Sequence, residues 1–364
     1  MAASKPDRFA PPATDELEVS VFGPGRGESI VVHVPGGAWF VVDSCNVRVG
    51  TDVVPVAVAY LRDGLGVTRL DSAFITHWHD DHTQGAGQLL QTFAESLRLV
   101  GLPGGFNQRE LASFVKDLFP CQSTSRMVRG LLDVLTVLRT PAFDHTFIRM
   151  LSDGQDLAPT GVSWSLRALS PSLEDLRRQA ASLMAWAPGA AGPALRSVDV
   201  NSACAVLLLD VEGFRVLFAS DLDEGDSNRC GWRCIVQHYG SGIQSRILKI
   251  GHHGSSTAFC PAAIDAICGG GDTRGVLTPF PARGAPLPRE SDIRRYRPRL
   301  QSLHQTASAK CRARAGAVAL KYTPFSAYLS NAPVPLQSIG QVRYRWVPGS
   351  LGPTVQTFPP ARAL

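Results

Sequence analysis

Apolar and polar residues alternate in short runs along the first part of the chain, a pattern typical of β-strands. Three such runs, separated by glycine-containing turns, predict an antiparallel meander leading to Asp43. They are LEVSVFG, SIVVHV and AWFVVDS, starting at positions 17, 29 and 38. A helical pattern follows at about 54–63, and the apolar run LDSAFIT at 70–76 predicts another strand.

The rest of the chain shows further helical and strand-like patterns. Apolar residues recur at helical spacing at about 84–97, 108–118, 125–138 and 172–186. Strand-like runs occupy about 98–102, 163–169, 203–210, 214–219, 246–250 and 275–278. Strand-rich and helix-rich parts therefore alternate twice, which is compatible with an α/β protein.

Length and composition bound the class of protein. The chain has 364 residues, 44% of them hydrophobic, so it can bury the core of one large α/β domain or two ordinary ones. We predict a loose polar tail over 1–16 and a single domain over 17–364. No run of about 18 apolar residues occurs, and the amino end has neither a basic start nor an apolar segment. We therefore expect a cytoplasmic protein without a membrane segment.

The positive charge is unevenly distributed. A formal net charge of +5 does not by itself indicate a nucleic-acid partner. Only five of the 36 basic residues are lysines, and arginine is the side chain that makes bidentate contacts to phosphate. A basic stretch runs from Arg289 to Arg299, includes Arg294 and Arg295, and continues to Arg314. It is either the solvated face of a helix or a surface that follows a sugar-phosphate backbone.

The eight cysteines are dispersed, with no CxxC pair. Because the chain shows no export signal, we expect free thiols rather than disulfides. Cys230 and Cys234 are four residues apart, but no matching Cys/His pair lies nearby in sequence, which disfavours a zinc site there.

The segment THWHDDH at 76–82 places three histidines and two aspartates within six consecutive residues. It lies between a predicted strand and a helical pattern, and therefore in a strand-to-helix loop. In extended backbone, side chains two residues apart project to the same side, so His77 and His79 can bind one ion. Past the bend, Asp81 and His82 can bind a second. Imidazole and carboxylate ligands suit a pair of divalent ions about 4 Å apart.

Two later strands end in groups that can complete such a centre. The run VLFAS at 216–220 closes on Asp221, and ILKI at 247–250 is followed by glycine, His252 and His253. A dinuclear site needs an anion to bridge the ions and a further neutral donor. Asp221 and the histidine pair are the candidates for these two roles.

Together these segments resemble the metallo-β-lactamase fold hydrolases. Within them, the closest likeness is to the branch typified by the metallo-hydrolase domain of the DNA-uptake channel protein ComEC and by bacterial phosphorylcholine esterases. The stretches that carry the resemblance are FGPGRGESIVVHVPGGAWFVVDSC, THWHDDH, DGQDL, DVNSACAVLLL, VLFASDLDE and ILKIGHHGSS, with VLTPF and LPRESDIRRY downstream. They span the chain from Leu17 to about Thr323. The turn GPGRGES stands where this branch usually has a GQGD-like turn.

The resemblance implies an α/β fold, a four-layer αββα sandwich with its site at the edge between the two sheets. It also implies two divalent metal ions, Zn²⁺ by expectation and Mn²⁺ as the alternative. The six implied ligands are His77 and His79 for the first ion, Asp81, His82 and His253 for the second, and Asp221 as the bridge.

The resemblance further assigns the surroundings of the ions. His252 is implied to be a donor that faces the substrate rather than a ligand. Many members of the superfamily carry another histidine for the first ion in the middle of the chain, and Asn201 and Ser202 stand in that place here. The predicted substrate contacts are Asn201, Ser202, Ser255, Arg294 and Arg295.

The expected reaction is hydrolysis of a phosphodiester by a metal-bound hydroxide, because two ions lower the pKa of a shared water and accept charge from the phosphoryl oxygens. In this scheme Asp81 or Asp221 holds the nucleophile. His252 or Lys249 stabilises the phosphoryl oxygens or the leaving group. Asp80 is a further candidate for proton transfer, or else it orients an imidazole.

The leading functional hypothesis is a nuclease acting on DNA or RNA, since the ComEC-like resemblance and the basic stretch both favour a nucleic-acid partner. A second hypothesis is a small phosphodiester substrate, such as a cyclic nucleotide or a choline phosphoester. A third is a partner-activated effector subunit of a multi-protein bacterial defence system. Acyl substrates rank last.

Overall fold

The computed structural model describes residues 7–23, 27–104, 126–184, 201–281, 286–307 and 339–364. The predicted helix at about 108–118 and the basic residues Lys310, Arg312 and Arg314 lie outside these ranges. Within them, no helix is long and apolar enough to cross a bilayer. The six cysteines that fall within these ranges are free thiols.

The strands of the described residues form two large sheets and one small hairpin. In chain order the strands are β1 (Leu17–Gly23), β2 (Ser29–Val34), β3 (Ala38–Val42), β4 (Asn46–Val49), β5 (Asp52–Pro55), β6 (Ser72–Phe74), β7 (Leu99–Pro103), β8 (Phe147–Leu151), β9 (Trp164–Ala168), β10 (Leu207–Val211), β11 (Phe214–Phe218), β12 (Ile247–Lys249), β13 (Arg274–Leu277), β14 (Ser302–Gln305), β15 (Gly340–Trp346), β16 (Thr354–Phe358) and β17 (Arg362–Ala363). The first sheet has the order β16-β15-β1-β2-β3-β6-β7-β8 and the second β17-β14-β13-β12-β11-β10-β9, while β4 pairs with β5.

The predicted meander is confirmed in the first sheet. β1, β2 and β3 pair antiparallel, with Val21 opposite Ile30 and Val32 opposite Phe40. Every residue of β1 and β2 is buried, because layers of the protein cover both faces of the sheet. β6, β7 and β8 then continue the sheet in parallel pairing.

In the second sheet, β9, β10 and β11 pair antiparallel and β11 through β14 pair in parallel. Parallel strands bring their carboxyl ends to one edge of a sheet, where ligand sites form in α/β folds. A hydrogen bond from Ala205 N–H to the Thr76 carbonyl oxygen, 3.0 Å long, links the two sheets near this edge.

Helices cover the outer faces of both sheets. They are α1 (Val56–Val58), α2 (Asp80–Thr83), α3 (Ala86–Thr92), α4 (Arg126–Leu138), α5 (Leu173–Met184), α6 (Gly231–Tyr239), α7 (Pro261–Cys268) and α8 (Glu290–Tyr296). A π-helical turn, Ala59–Gly64, continues α1, and the 3₁₀ turns are Pro141–Phe143, Asn201–Ala203, Gly240–Ile243, His252–Gly254, Ser256–Ala258 and Arg297–Arg299.

Three hydrophobic cores separate the four layers. The middle core packs the inward faces of the two sheets together, with Phe40 and Phe218 in edge-to-face contact, 6.3 Å between ring centroids. One outer core joins the first sheet to α3 and α4, and the other joins the second sheet to α6, α7 and α8. The predicted four-layer αββα sandwich is therefore confirmed.

Part of the segment predicted as a tail, residues 7–16, lies against β15. The Arg343 guanidinium donates a hydrogen bond to the Asp7 carbonyl oxygen at 2.7 Å, and the Phe9 ring lies 6.2 Å from the Tyr60 ring. The buried Arg343 thus binds main-chain atoms of this segment rather than solvent.

Candidate metal centre

The segment THWHDDH lies at the strand-to-helix connection that the sequence predicts, with Thr76 to His79 in the loop after β6 and Asp80 to His82 in α2. Its first residue is fixed by Asp43, which follows β3: the Thr76 N–H and hydroxyl donate to the two Asp43 carboxylate oxygens at 2.8 Å each. α2 begins at Asp80, so the extended backbone ends at His79 and the chain turns there. This bend separates the first two histidines of the segment from Asp81 and the third histidine.

A first group of ligand atoms consists of His77, His79 and Asp221. His77 Nε2 lies 3.2 Å from His79 Nδ1 and 3.9 Å from Asp221 Oδ2. Two nitrogens on one tetrahedral zinc lie roughly 3.3 Å apart, so the spacing of the imidazoles fits a shared ion. His77 is buried and His79 is half-buried.

A second group consists of four buried residues, Asp81, His82, Asp221 and His253. His253 Nε2 lies 3.0 Å from Asp81 Oδ2 and 3.7 Å from Asp221 Oδ2. His82 Nε2 lies 3.5 Å from Asp221 Oδ1 and 3.9 Å from Asp81 Oδ2. Asp221 belongs to both groups, which is the position a bridging carboxylate requires. The structure therefore brings together all six predicted metal ligands.

The imidazoles of the second group are held through their Nδ1 atoms. His82 Nδ1–H donates to Asp43 Oδ2 at 2.8 Å, and His253 Nδ1–H donates to the Thr278 carbonyl oxygen at 2.8 Å. Metal-binding histidines are usually oriented in this way, with the other ring nitrogen left to coordinate. His82 Nε2 is buried and has no hydrogen-bond partner among the described residues. This donor set fits a divalent cation.

His77 is held in a similar way. Its Nδ1–H donates to the Thr76 hydroxyl oxygen at 3.1 Å, and that oxygen also accepts the Ser220 hydroxyl at 2.7 Å. The Nε2 atom of His77 is thereby left to coordinate, on the side of His79 and Asp221.

Charges within the second group reinforce one another. Burial alone would raise the pKa of Asp221, but His82 and His253 outweigh it and hold that pKa well below its usual range. Burial would lower the pKa of His82, but Asp221 and Asp43 raise it well above the ordinary value. In the absence of a cation, protons on the histidines therefore balance the buried carboxylates.

The first group is different in this respect. Burial lowers the pKa of His77 well below its ordinary value, and neighbouring His82 and His79 lower it further. Burial likewise lowers the pKa of His79. The first group thus offers imidazoles that are already neutral at pH 7, the form that binds metal.

Left-handed backbone conformations cluster around the centre. Asp43, Ser220, His252 and His253 have φ angles of 58°, 49°, 47° and 53°, and among the described non-glycine residues only Glu212 also has a positive φ. Such a conformation costs about 1–3 kcal/mol and persists where the surrounding structure imposes it. The contacts that hold these four residues therefore also fix where their side chains point.

His252 lies beside the cluster but in neither group of ligand atoms. Its Nε2 lies 3.2 Å from Asn201 Nδ2, and its Nδ1 lies 3.1 Å from the Thr257 hydroxyl and 3.3 Å from Asp223 Oδ1. The ring is half-buried. The structure thus places Asn201 against His252, while the predicted role of both in contacting substrate stays a prediction.

The two serines predicted to contact substrate flank this pair in sequence. Ser202 lies in the 3₁₀ turn Asn201–Ala203. Ser255 is buried, and its hydroxyl accepts the Thr257 N–H at 3.3 Å, which caps the following 3₁₀ turn. The roles of both serines in contacting substrate stay predictions.

Lys249 and Asp80, predicted to take part in catalysis, have different surroundings. Lys249 is 1% exposed, and its Nζ lies 2.7 Å from Glu28 Oε2. Asp80 is half-buried at the start of α2, next to His79. Asp80 therefore lies beside the ligands in sequence, whereas Lys249 is buried against Glu28.

Arg294 and Arg295 lie on α8, and both are exposed or half-exposed. Arg294 Nε lies 3.6 Å from Glu290 and Arg295 Nη1 lies 3.7 Å from Asp292. Both guanidinium groups thus have an acidic neighbour on their own helix. The structure does not bring them into the cluster of six ligands.

Sequence reasoning missed Glu28 and Thr278 as site residues. The Glu28 carboxylate accepts the Thr278 hydroxyl, and its Oε1 lies 3.9 Å from His82 Nδ1. Glu28 follows the glycine-rich turn GPGRG, which marked a hairpin but not a partner. Because the two residues are 250 positions apart, no local spacing could have connected them.

Comparisons with known proteins show distant structural likeness only. No protein-family model and no curated protein matches this sequence. The chain is similar to Igni18, a metallo hydrolase from the archaeon Ignicoccus hospitalis, at 12% identity and a TM-score of 0.35, over 72% of this chain and 81% of that chain. It is also similar to unliganded yeast PDE1, at 10% identity and a TM-score of 0.43, over 80% and 98%. The four-layer αββα sandwich is established by the sheets and cores of the described residues rather than by these comparisons.

Proposed function

We propose that this chain is a dinuclear metal-dependent hydrolase of phosphodiesters, and that its substrate is a polynucleotide. The observation that carries the proposal is Asp221, whose carboxylate belongs to both groups of ligand atoms: its Oδ2 lies 3.9 Å from His77 Nε2 of the first group, and its Oδ1 lies 3.5 Å from His82 Nε2 of the second. A carboxylate shared in this way is typical of two-metal hydrolytic centres. Zinc is the expected ion and manganese the alternative.

The residues of the chain fit specific roles in this reaction. When bound, two divalent ions would supply an activated water and positive charge for the phosphoryl oxygens. Asp43 and Thr278 hold His82 and His253 in the tautomer that leaves Nε2 free to coordinate. Burial of the second group excludes bulk water, which strengthens every charge interaction within it.

His252 is the proposed proton donor to the leaving oxygen. It is half-buried beside the ligands, and its main-chain N–H donates to Asp221 Oδ1 at 3.1 Å, which fixes it relative to the bridging carboxylate. Asn201 Nδ2 lies 3.2 Å from His252 Nε2, and Asp223 Oδ1 lies 3.3 Å from His252 Nδ1. We assign Asn201 to the phosphoryl oxygens, because its amide can donate to them.

The ComEC-like sequence resemblance supports a polynucleotide substrate, and the arginines of α8 and the following turn give a possible backbone contact. A small phosphodiester is the second candidate, because three arginines of this region already have acidic partners. Arg299 Nε lies 2.6 Å from Asp265, in addition to the pairs formed by Arg294 and Arg295. An arginine that is already paired with a carboxylate gains less free energy from binding a phosphate than an unpaired one, because the existing ion pair is lost.

Activity assays on purified protein decide between these substrates. Single- and double-stranded DNA and RNA are incubated with wild type and with His79→Ala, with zinc or manganese added. His238→Ala is the matched control, since His238 is exposed and pairs with Asp153 rather than with the cluster. We expect wild type and His238→Ala to cleave polynucleotide and His79→Ala to lose activity.

Other outcomes point elsewhere. Turnover of bis(p-nitrophenyl) phosphate without polynucleotide cleavage would favour the small phosphodiester. An inactive protein with two tightly bound metal ions would favour a partner-activated effector subunit. Protein that binds no divalent metal would contradict the proposed function altogether.

A further inference from the structure

A buried ion pair lies directly beneath the proposed metal centre. Lys249, the last residue of β12, and Glu28, the residue before β2, are each 1% exposed, and Nζ lies 2.7 Å from Oε2. Lys249 also donates to the Ile250 carbonyl oxygen at 3.1 Å. The pair thus joins the second sheet to the first at the edge where the ligands converge.

Glu28 reaches ligands of the second group by three routes. Its N–H donates to the Asp81 carbonyl oxygen at 2.9 Å, and its Oε1 lies 3.9 Å from His82 Nδ1. Its carboxylate also accepts the hydroxyl of Thr278, the residue whose carbonyl oxygen holds His253. Asp81 and His253 are therefore positioned by Glu28 or by a residue bound to it, and His82 lies close to its carboxylate.

We infer that Glu28 and Lys249 form a positioning pair, which sets the geometry of the second metal group across the two sheets. This inference rests on the proposed metal centre and assigns Lys249 a role other than contact with substrate. With 1% of its surface exposed and its ammonium on Glu28, Lys249 has no path to a phosphoryl oxygen.

The positive charge of Lys249 affects which carboxylate accepts the His82 Nδ1–H. Glu28 and Asp43 both lie within 4 Å of His82 Nδ1, so two carboxylates compete for one N–H. Because Glu28 pairs with Lys249, its carboxylate does not take the His82 Nδ1–H. That N–H therefore donates to Asp43 Oδ2 at 2.8 Å. Removing one partner of a buried pair leaves an uncompensated charge, which is costly, whereas removing both costs less.

Zinc binding, measured by calorimetry and metal analysis on the full chain, tests this inference without reference to activity. Glu28→Gln and Lys249→Met are each expected to weaken zinc binding at the second group by roughly 10- to 100-fold, the usual effect of losing a residue that orients a ligand. The double variant is expected to lose less than the two single losses combined. The visible spectrum of cobalt-loaded protein should change in the same variants.

Glu18→Gln is the matched control. Glu18 is fully buried and pairs with Arg345 at 2.7 Å, at the opposite end of the β1–β2 hairpin. Its loss should lower the melting temperature of the metal-free protein while leaving zinc affinity at the wild-type value. A merely structural role for Lys249 would give the same result as this control.

If Lys249→Met keeps the wild-type zinc affinity and an unchanged cobalt spectrum, the positioning role is wrong. The proposed function would still stand, because wild type would bind its ions. Wild type that binds no zinc would overturn the proposed function and this inference with it. If the single variants do not fold, the double variant, which leaves no charge at these two positions, decides: weakened zinc binding supports the pair and unchanged binding contradicts it.

Discussion

The two halves of the proposed metal centre are built differently, although they share Asp221. The second group has four buried ligands, and its two imidazoles are held by Asp43 and by the Thr278 carbonyl oxygen. The first group has three ligands within the described residues, and one of them, His79, is half-buried. From this difference we predict a tightly held ion in the second group and a weaker, more accessible one in the first.

The largest effect is expected from Asp221, because both groups depend on it. Asp221→Asn removes the shared negative charge, so we expect both ions to be lost. Activity on a phosphodiester should fall by about 10³-fold or more, equivalent to roughly 4 kcal/mol. Metal analysis beside an activity assay checks this, and a variant that keeps two ions would show that Asp221 is not the bridge.

The second largest effect should separate the two groups. We expect His82→Ala to lose the tightly held ion, whereas His79→Ala should lose only the weaker one and retain the other. Metal content after dialysis gives the answer for each variant. Equal losses in the two variants would mean that the groups are not distinct in affinity.

Removal of metal should destabilise the protein, chiefly through the second group. An ion present at about 1,000 times its dissociation constant contributes about 4 kcal/mol to folding, which for a chain of this length corresponds to about 5 °C in melting temperature. Thermal unfolding with and without chelator measures the shift. His79→Ala should show nearly the full shift, and an unshifted wild type would contradict a tightly held ion.

The smallest expected effect is a difference between the two groups in how their zinc affinity depends on pH. In the metal-free protein, Asp221 and Asp81 raise the pKa of His253 against burial, and carboxylates likewise raise that of His82, so both keep their protons above pH 6.5. A binding ion must displace these protons, so zinc affinity at the second group should fall as pH decreases from values above 6.5.

At the first group, the lowered pKa of His77 and His79 moves this proton competition below pH 6.5. Zinc titrations from pH 8 to pH 6 should therefore weaken the second group while leaving the first nearly constant. Parallel losses at the two groups would contradict the charge assignment.

The sequence predicted much of this site because its ligands lie in short, self-contained segments. THWHDDH and the strand ends at Asp221 and His253 are visible locally, and apolar runs before each of them predicted the strands. The meander of β1 to β3 was readable for the same reason, since alternation and glycine turns are local signals. Family resemblance then supplied the layer order, which periodicity alone left open.

What the sequence did not reveal depends on contacts between distant segments. Glu28 meets Lys249 and Thr278 only after the two sheets pack, and a lone glutamate after a glycine turn carries no sign of such partners. The short helix α2 was also not predicted: it lies in the segment expected to be a loop, and the helix expected at about 84–97 runs only from Ala86 to Thr92. Burial and long-range pairing, rather than local pattern, decided these features.

The most direct test of the account is a zinc titration of metal-free wild-type protein, followed by calorimetry and metal analysis. We expect two ions per chain, bound in two resolved steps, with the tighter step lost in His82→Ala and the weaker in His79→Ala. A single ion, two indistinguishable sites or no binding at all would contradict this expectation.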